Sequence, residues 1–411
     1  MISYNESLNI LQEIAKLQSS EFEEEVSLAQ SVGRVLSEDL FARENNPPFD
    51  NSAMDGFAIN AQLAAKQMHS WISVNALIGA GDNVCEIENK DGAIEIMTGA
   101  PIPNAYYDSV VRVEDVEVRI DSSGKKWIKL RTTPQVSDNM RKTGEDTKVG
   151  KKLLSKGQII LSQHLVALAA QGITSFKVKK KINIGILSTG KEIVEYQSQK
   201  LKFGQIRNST GVYLESVLTG PLYKVKNYGI IQDNEEMYIE RIKKIFEEDT
   251  ELVISTGAVS MGIYDFVKSA LESIGGKVHF HKCAIRPGKP ILFATVHYQN
   301  KMRFIFGAPG NPIATLVGWK FFINPFLDNL LECEPKKPFF ATLASDTKKP
   351  DGLKCFFMAK VFSEGSETHV ESLKGQASFM VSTLLQSNAW VVLPEEGSLL
   401  KRGTPVEVFN I

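Results

Sequence analysis

The stretch INIGILSTGKE (residues 182–192) decides how this chain is read. A short apolar run ending in a Ser-Thr-Gly turn predicts a buried strand with a loop at its carboxyl end. The same form returns in ELVISTGAVSMGIYD (251–265) and in FIFGAPGNP (304–312). Between them lie helical signals at 210–218 and 234–248, and a strand signal at YKVKNYG (223–229). A long helix is expected from Ile313 onward. Strands alternating with helices predict βαβ units covered on both faces. The expected fold class is therefore multidomain α/β, with a central three-layer α/β domain over 179–334 and a mostly parallel sheet.

Working outward, Ser3 and Glu6 form a capping-box pattern, and Leu8, Leu11, Ile14 and Leu17 follow at helical spacing. A helix ending near Ser19 is predicted within 1–22, packing on the α/β domain. Residues 45–140 open with the irregular NNPPFDNSAMDGFAIN and continue in alternating runs such as VVRVEDVEVRI and KWIKLR, which predict a mainly β domain. Segments 23–44 and 141–178 are assigned to a linking domain, with a helix over 162–170 ending at Gly172. The lysine run at 177–181 is read as solvated charge at a domain junction. Beyond Pro335 the helical pattern fades, and 335–411 is expected to be a small C-terminal β domain.

Bulk composition narrows the function. The 411 residues carry 47 Lys plus Arg against 48 Asp plus Glu, a net charge of -1, which argues against wholesale binding of nucleic acid or acidic membranes. Cys85, Cys283, Cys333 and Cys355 form no CxxC pair, so neither a disulfide framework nor a structural zinc site is expected. The start lacks a signal-peptide pattern, and no apolar run approaches the roughly 18 residues of a membrane span, so a cytoplasmic protein is expected. No HExxH, GxSxG, GxxxxGKS/T or GxGxxG pattern is present, which removes the common hydrolase and nucleotide-binding readings.

What remains is a pattern suited to anions. Glycine after a strand lets backbone N–H groups approach an oxyanion, and a following helix favours negative charge. Gly190 and Gly257 occupy such turns, with Ser188, Thr189, Ser255, Thr256 and Ser260 as candidate hydroxyl donors. KCAIRPGKP (282–290) places Lys282, Arg286 and Lys289 around a Pro-Gly turn, where they can converge on an oxyanion; alone it would read as an exposed hairpin. Asp50, Asp55, Glu192, Asp233 and Asp265 supply carboxylates, and carboxylates beside phosphates usually share a hard divalent cation such as Mg2+. Asp265 also reads as a cap for the helical run that follows it.

Taken in order, PPFDNSAMDGFA, IMTGAPIP, RKTGED, STGKE, GIIQD, ISTGAVSMGIYD, IRPGKP and GAPGNP resemble the molybdopterin molybdenumtransferase family, of the MoeA and gephyrin E-domain type. The resemblance implies an elongated homodimer of four domains per subunit, acting on adenylylated molybdopterin. Molybdate is the co-substrate, AMP is released, and Mg2+ assists. It further implies partners among molybdopterin adenylyltransferases and molybdoenzymes. Carried over by position, Asp55, Glu192 and Lys289 are catalytic, while Asp233 and Asp265 hold the metal. Thr98, Arg141, Asp146, Lys282, Arg286, Pro309, Pro312 and Ser378 contact substrate, together with the Ser-Thr-Gly turns. The chain departs from the family in three places. Ala314 stands where a Ser is common, Met358 where an Arg is expected, and Phe379 where a His follows the Ser of the tail. Adenylyltransferase and non-catalytic pterin-binding readings stand as the alternatives.

Overall fold

Local chemistry starts the first helix where the spacing predicts. In α1 (Tyr4–Lys16) the Ser3 hydroxyl accepts the Glu6 N–H at 3.1 Å, and the Ser3 N–H donates back to the Glu6 carboxylate at 3.4 Å. The helix ends a turn before Ser19. Leu17 is 72% exposed, so the apolar face rests on Leu11 and Ala15 instead. The computed structural model describes residues 1–19, 23–83, 91–258, 266–334 and 337–411. Contacts divide the chain into two units: Asp39–Ser155 with Ser162–Ser175, and Met1–Glu38 with Lys156–Leu161 and Phe176–Ile411.

The first of these is built on a six-stranded mixed sheet. Its strands are β1 (Gly56–Ile59), β2 (Ile72–Ile78), β3 (Ala93–Ile96), β4 (Ser109–Arg112), β5 (Val116–Ile120) and β6 (Lys126–Leu130), in the order β4-β1-β3-β2-β6-β5. Alternate residues of β1 enter different cores: Phe57 and Ile59 join Ile72 and Ile128, whereas Ala58 joins Ile94 and Val110. A strand buried on both faces explains why GFAI reads as a continuous apolar run. Gly56 is required, because a Cβ there would overlap the Val111 carbonyl of the paired β4. The helix His164–Ala170 belongs to this unit and is followed by Gly172 at φ +63°.

The second unit holds the α/β sheet. In chain order it contains β7 (Ile182–Thr189), α2 (Ser209–Leu218), β8 (Tyr223–Ile231), α3 (Glu235–Glu247), β9 (Leu252–Thr256), α4 (Val267–Ser273), β10 (Lys277–His281), β11 (Leu292–Tyr298), β12 (Lys301–Ala308), α5 (Pro312–Gly318) and α6 (Asn324–Leu330). The order β8-β7-β9-β12-β11-β10 is parallel through β12 and antiparallel in its last two pairings. The helix expected from Ile313 is one continuous rod only in outline, since a π turn at Trp319–Ile323 separates α5 from α6. No described helix is long and apolar enough to cross a membrane.

A five-stranded barrel completes the unit: β13 (Phe339–Leu343), β14 (Lys354–Glu364), β15 (Glu367–Ser372), β16 (Ala389–Leu393) and β17 (Pro405–Asn410). The pairings β14–β15, β15–β13, β13–β17, β17–β16 and β16–β14 close the ring. Cys355, Phe357 and Ala359 of β14 fill its interior. Phe356 and Met358 face outward into the core shared with Ile184, Phe306 and Phe321.

The lysine run corrects the expectation of simple solvated charge. Lys179 is 1% exposed; its ammonium donates to the Ser19 carbonyl at 3.0 Å and pairs with Glu332 at 2.6 Å. Lys156 pairs with the same carboxylate at 2.8 Å, and the Ser19 hydroxyl donates to its other oxygen at 3.1 Å. One acidic side chain after α6 thus fastens three separate segments to its own.

Candidate active site

Adjacent parallel strands bring their carboxyl ends together, and the register shows which residues meet. Ser188 lies opposite Thr256, and Thr256 opposite Ala308, so the two Ser-Thr-Gly turns and the GAPGNP turn leave one sheet edge side by side. The Gly257 N–H donates to the Ala308 carbonyl at 3.0 Å. Gly257 sits at φ +92°, and a Cβ there would overlap the Thr189 carbonyl. Gly257→Ala is therefore expected to separate the two turns and lower stability by roughly 1–3 kcal/mol, measurable by urea unfolding. A wild-type midpoint would show that the turns tolerate the gap.

Three of the hydroxyls expected to reach an anion, those of Ser188, Thr189 and Thr256, are engaged elsewhere. The Asn208 amide donates to the Ser188 hydroxyl at 3.0 Å, as does the Thr256 hydroxyl at 3.2 Å, and the Thr189 hydroxyl donates to the Thr256 carbonyl at 3.2 Å. Ser188, Thr189, Ser255 and Thr256 are all buried. Ser188, Thr189 and Thr256 tie strand ends together, and the N–H groups of Gly190 and Gly257 are likewise bonded, to the Ile231 and Ala308 carbonyls. Asn208 is the residue sequence reasoning missed. It caps α2 by accepting the Gly211 N–H at 3.0 Å, and Asn followed by a helical run was the available signal.

Carboxylates flank the first turn. The Gly190 N–H donates to the Ile231 carbonyl at 3.1 Å, and the Lys191 N–H to Asp233 at 3.2 Å. Asp233 therefore faces the STGKE turn rather than capping α3, a task performed by Asn234. Exposed Glu192 lies on the same turn. Ser260 and Asp265 fall outside the described residues. Among the described residues no three His, Cys, Asp or Glu side chains gather as a metal-binding group. Asp233 and Glu192 still match what Mg2+ takes when phosphate oxygens and water complete its shell, namely one or two carboxylates.

The basic segment is pinned, not a free hairpin. The Lys282 N–H donates to the Ile291 carbonyl at 3.0 Å, and the Cys283 N–H to the Lys289 carbonyl at 2.9 Å. Cys283 and Ile285 are buried, whereas Arg286 and Lys289 are exposed. Ile285–Arg286 pairs in parallel with Lys354–Cys355 of β14. A Cβ on Gly288 would stand 3.4 Å from the Ala314 carbonyl, which places this turn against the start of α5. There Pro312 opens the helix, the Pro309 carbonyl accepts the Thr315 hydroxyl at 2.5 Å, and the Ile313 N–H donates to the Ser378 carbonyl at 3.0 Å. The backbones of the turn bearing Arg286 and Lys289, of the Pro309–Pro312 turn and of Ser378 thus meet around one helix start. Ala314 is buried beside them, and Phe379 is exposed. Met358 is wholly buried, and the Gln376 side chain bonds both its N–H (3.0 Å) and its carbonyl (2.8 Å), so this position serves packing.

In the other unit three loops are stitched together. The Ser52 N–H donates to Ala100, the Ala53 N–H to Asn139 and the Gly144 N–H to Pro47, at 2.8–3.0 Å. Asp55 Oδ1 accepts both the Thr98 N–H at 2.7 Å and the Thr98 hydroxyl at 2.9 Å. These two donors hold the exposed Asp55 carboxyl below its ordinary range. Arg141 lies opposite Asn51, and Asp146 accepts the Asn46 amide at 2.9 Å and the Thr147 hydroxyl at 3.1 Å. Asp50 binds the Thr143 N–H at 2.8 Å and Lys142 at 3.0 Å. Asp55, Thr98, Arg141 and Asp146 therefore belong to one joined set of loops.

Residues 2–172 match the MoeA N-terminal region (domain I and II), 185–329 a probable molybdopterin binding domain, and 341–411 the MoeA C-terminal region (domain IV). The chain is 36% identical to the molybdopterin molybdenumtransferase of Synechococcus elongatus, across the full length of both. The chain belongs to the MoeA family. The Bacillus subtilis molybdopterin molybdenumtransferase is 34% identical over 94% of this chain and 89% of its own length. The crystal structure of the molybdopterin biosynthesis protein moeA from Pyrococcus horikoshii superposes with a TM-score of 0.79 at 27% identity, covering 100% of each chain. Membership makes this chain an enzyme of molybdenum cofactor biosynthesis, a transferase with a molybdopterin-binding domain.

Proposed function

We propose that the chain inserts molybdenum from molybdate into adenylylated molybdopterin and releases AMP. The observation that carries this reading is the meeting of the turn bearing Arg286 and Lys289, the proline turn and Ser378 at one helix start, on the same sheet edge as both Ser-Thr-Gly turns. Cations and backbone donors are what two anionic groups, an oxometalate and a pyrophosphate, require. Arg286 and Lys289 orient molybdate, while the pyrophosphate lies over the strand ends at the Ser-Thr-Gly turns. Asp233 and Asp265 would hold Mg2+, which offsets phosphate charge when bound, and Glu192 is proposed as a catalytic carboxylate beside them. The dithiolene sulfurs replace oxygens on molybdenum, and water cleaves the phosphoanhydride. Asp55, resting on Thr98, is proposed as a catalytic carboxylate. The enzyme is proposed to work in the cytoplasm as a homodimer, taking substrate from a molybdopterin adenylyltransferase and delivering product to molybdoenzymes.

Purified protein given adenylylated molybdopterin, Mg2+ and molybdate should release AMP in proportion to molybdate. Pterin binding without molybdate-dependent AMP would defeat the proposal, as would adenylylation of molybdopterin by ATP as the main activity. Lys289→Ala is expected to raise the KM for molybdate roughly tenfold, about 1.4 kcal/mol of lost binding. An unchanged molybdate titration would remove Lys289 from the site.

A further inference from the structure

Between the short strands Ile193–Val194 and Ile206–Arg207 the chain makes an excursion over residues 195–205. The two strands pair in parallel, Ile193 opposite Ile206 and Val194 opposite Arg207. The Ile206 N–H donates to the Glu192 carbonyl at 2.8 Å, and the Asn208 N–H to the Val194 carbonyl at 2.8 Å. The base of the loop is therefore tied to Glu192 on one side. On the other it is tied to Asn208, which holds Ser188. Within the loop, the Arg207 guanidinium donates to the Ser198 carbonyl at 2.8 Å, and the Lys202 N–H donates to the Gln205 side chain at 2.9 Å.

The loop carries an unusual load. Phe203 is fully exposed (108%), and Tyr196 and Leu201 of the same loop and Ile206 at its base are exposed as well. Lys200 and Lys202 alternate with these apolar residues and are exposed too. A lone exposed apolar side chain needs no explanation, but several grouped at the rim of a binding site mark an interaction surface. Aromatic rings interleaved with cations suit a flat heterocycle bearing phosphate, because the ring stacks and the ammonium groups meet oxygens.

We propose that Phe203 is a specificity-determining residue that stacks on a heterocycle of the substrate, with Lys200 and Lys202 placed for its phosphates. This deepens the proposed function and rests on it. Two rings of the adenylylated substrate share the required chemistry, the adenine and the pterin, and separate binding measurements distinguish them.

Phe203→Ala in the full chain is expected to raise the KM for adenylylated molybdopterin about tenfold, within the range of base–aromatic stacking, while kcat stays within about twofold. Phe203→Trp should keep the wild-type KM and Phe203→Leu should not, since stacking needs a π face rather than bulk. Weakened binding of AMP by Phe203→Ala assigns the ring to adenine; weakened binding of molybdopterin alone assigns it to the pterin. Unchanged binding of both overturns the inference, as does a Leu variant equal to wild type or a change in molecular mass by light scattering. If wild-type protein releases no AMP, the proposed reaction fails, and the two binding measurements still decide the role of Phe203.

Discussion

Asp55→Ala should reduce molybdate-dependent AMP release by about a hundredfold or more, the loss typical of removing a catalytic proton-transfer group, and leave the thermal midpoint nearly unchanged. The carboxylate is exposed and its two bonds come from one neighbour, so the fold gains little from it. Those bonds from Thr98 favour the ionised form, so Asp55 keeps its charge as pH falls until below the ordinary carboxylate range. Asp55→Asn sharpens the test, because the amide oxygen still accepts from Thr98 while the charge is gone. If the Asn variant is as inactive as the Ala variant, charge is what matters. If either variant loses stability in step with activity, Asp55 is a structural residue of the loop and leaves the catalytic set.

Glu332→Gln should destabilise the α/β unit by about 2 kcal/mol at neutral pH. Burial raises the Glu332 carboxyl, but hydrogen bonds from Lys156 and Lys179 and the charge of both outweigh it and hold the pKa at about 2. A shift from 4.5 to about 2 corresponds to about 3 kcal/mol, reduced here for a carboxylate partly open to water. Because the folded pKa is depressed, this contribution is present above pH 4.5 and fades as pH falls toward 2. Urea unfolding of both proteins should show a gap at pH 7 that narrows in acid. A gap that does not change with pH would mean that lost packing, not the ion pair, causes the effect. Removing the charge also leaves the Lys179 ammonium buried without its counter-ion, which adds to the cost.

The α/β region was readable because its signals are local. Apolar runs such as INIGIL and LVIS end at a glycine turn, and Asn234 caps α3 where its helical pattern begins. Lys179 was misread because its burial depends on Glu332, far along the chain, and neither position announces the other. Likewise, Ser188 and Thr256 look like free hydroxyl donors until the register places them opposite each other across β7 and β9. Asp55 and Thr98 gave only separate motifs; their pairing required β1, β3 and the loops between them. Ser378 shows the same limit, since only the backbone bond from Ile313 brings the tail to the proline turn.

The closed barrel carries a consequence for anyone who recombines these proteins. Neighbouring residues of β14 and β16 serve different interiors: Cys355, Phe357, Ala389 and Val391 point into the ring, while Phe356, Met358, Trp390 and Val392 belong to the larger core beside it. Inserting or deleting one residue in either strand would exchange the two sets, emptying both interiors at once. A chimera that swaps in a relative's barrel must therefore bring along the facing residues of the neighbouring helices, Phe321 foremost, whose ring stacks on Phe356 at 4.2 Å between centroids.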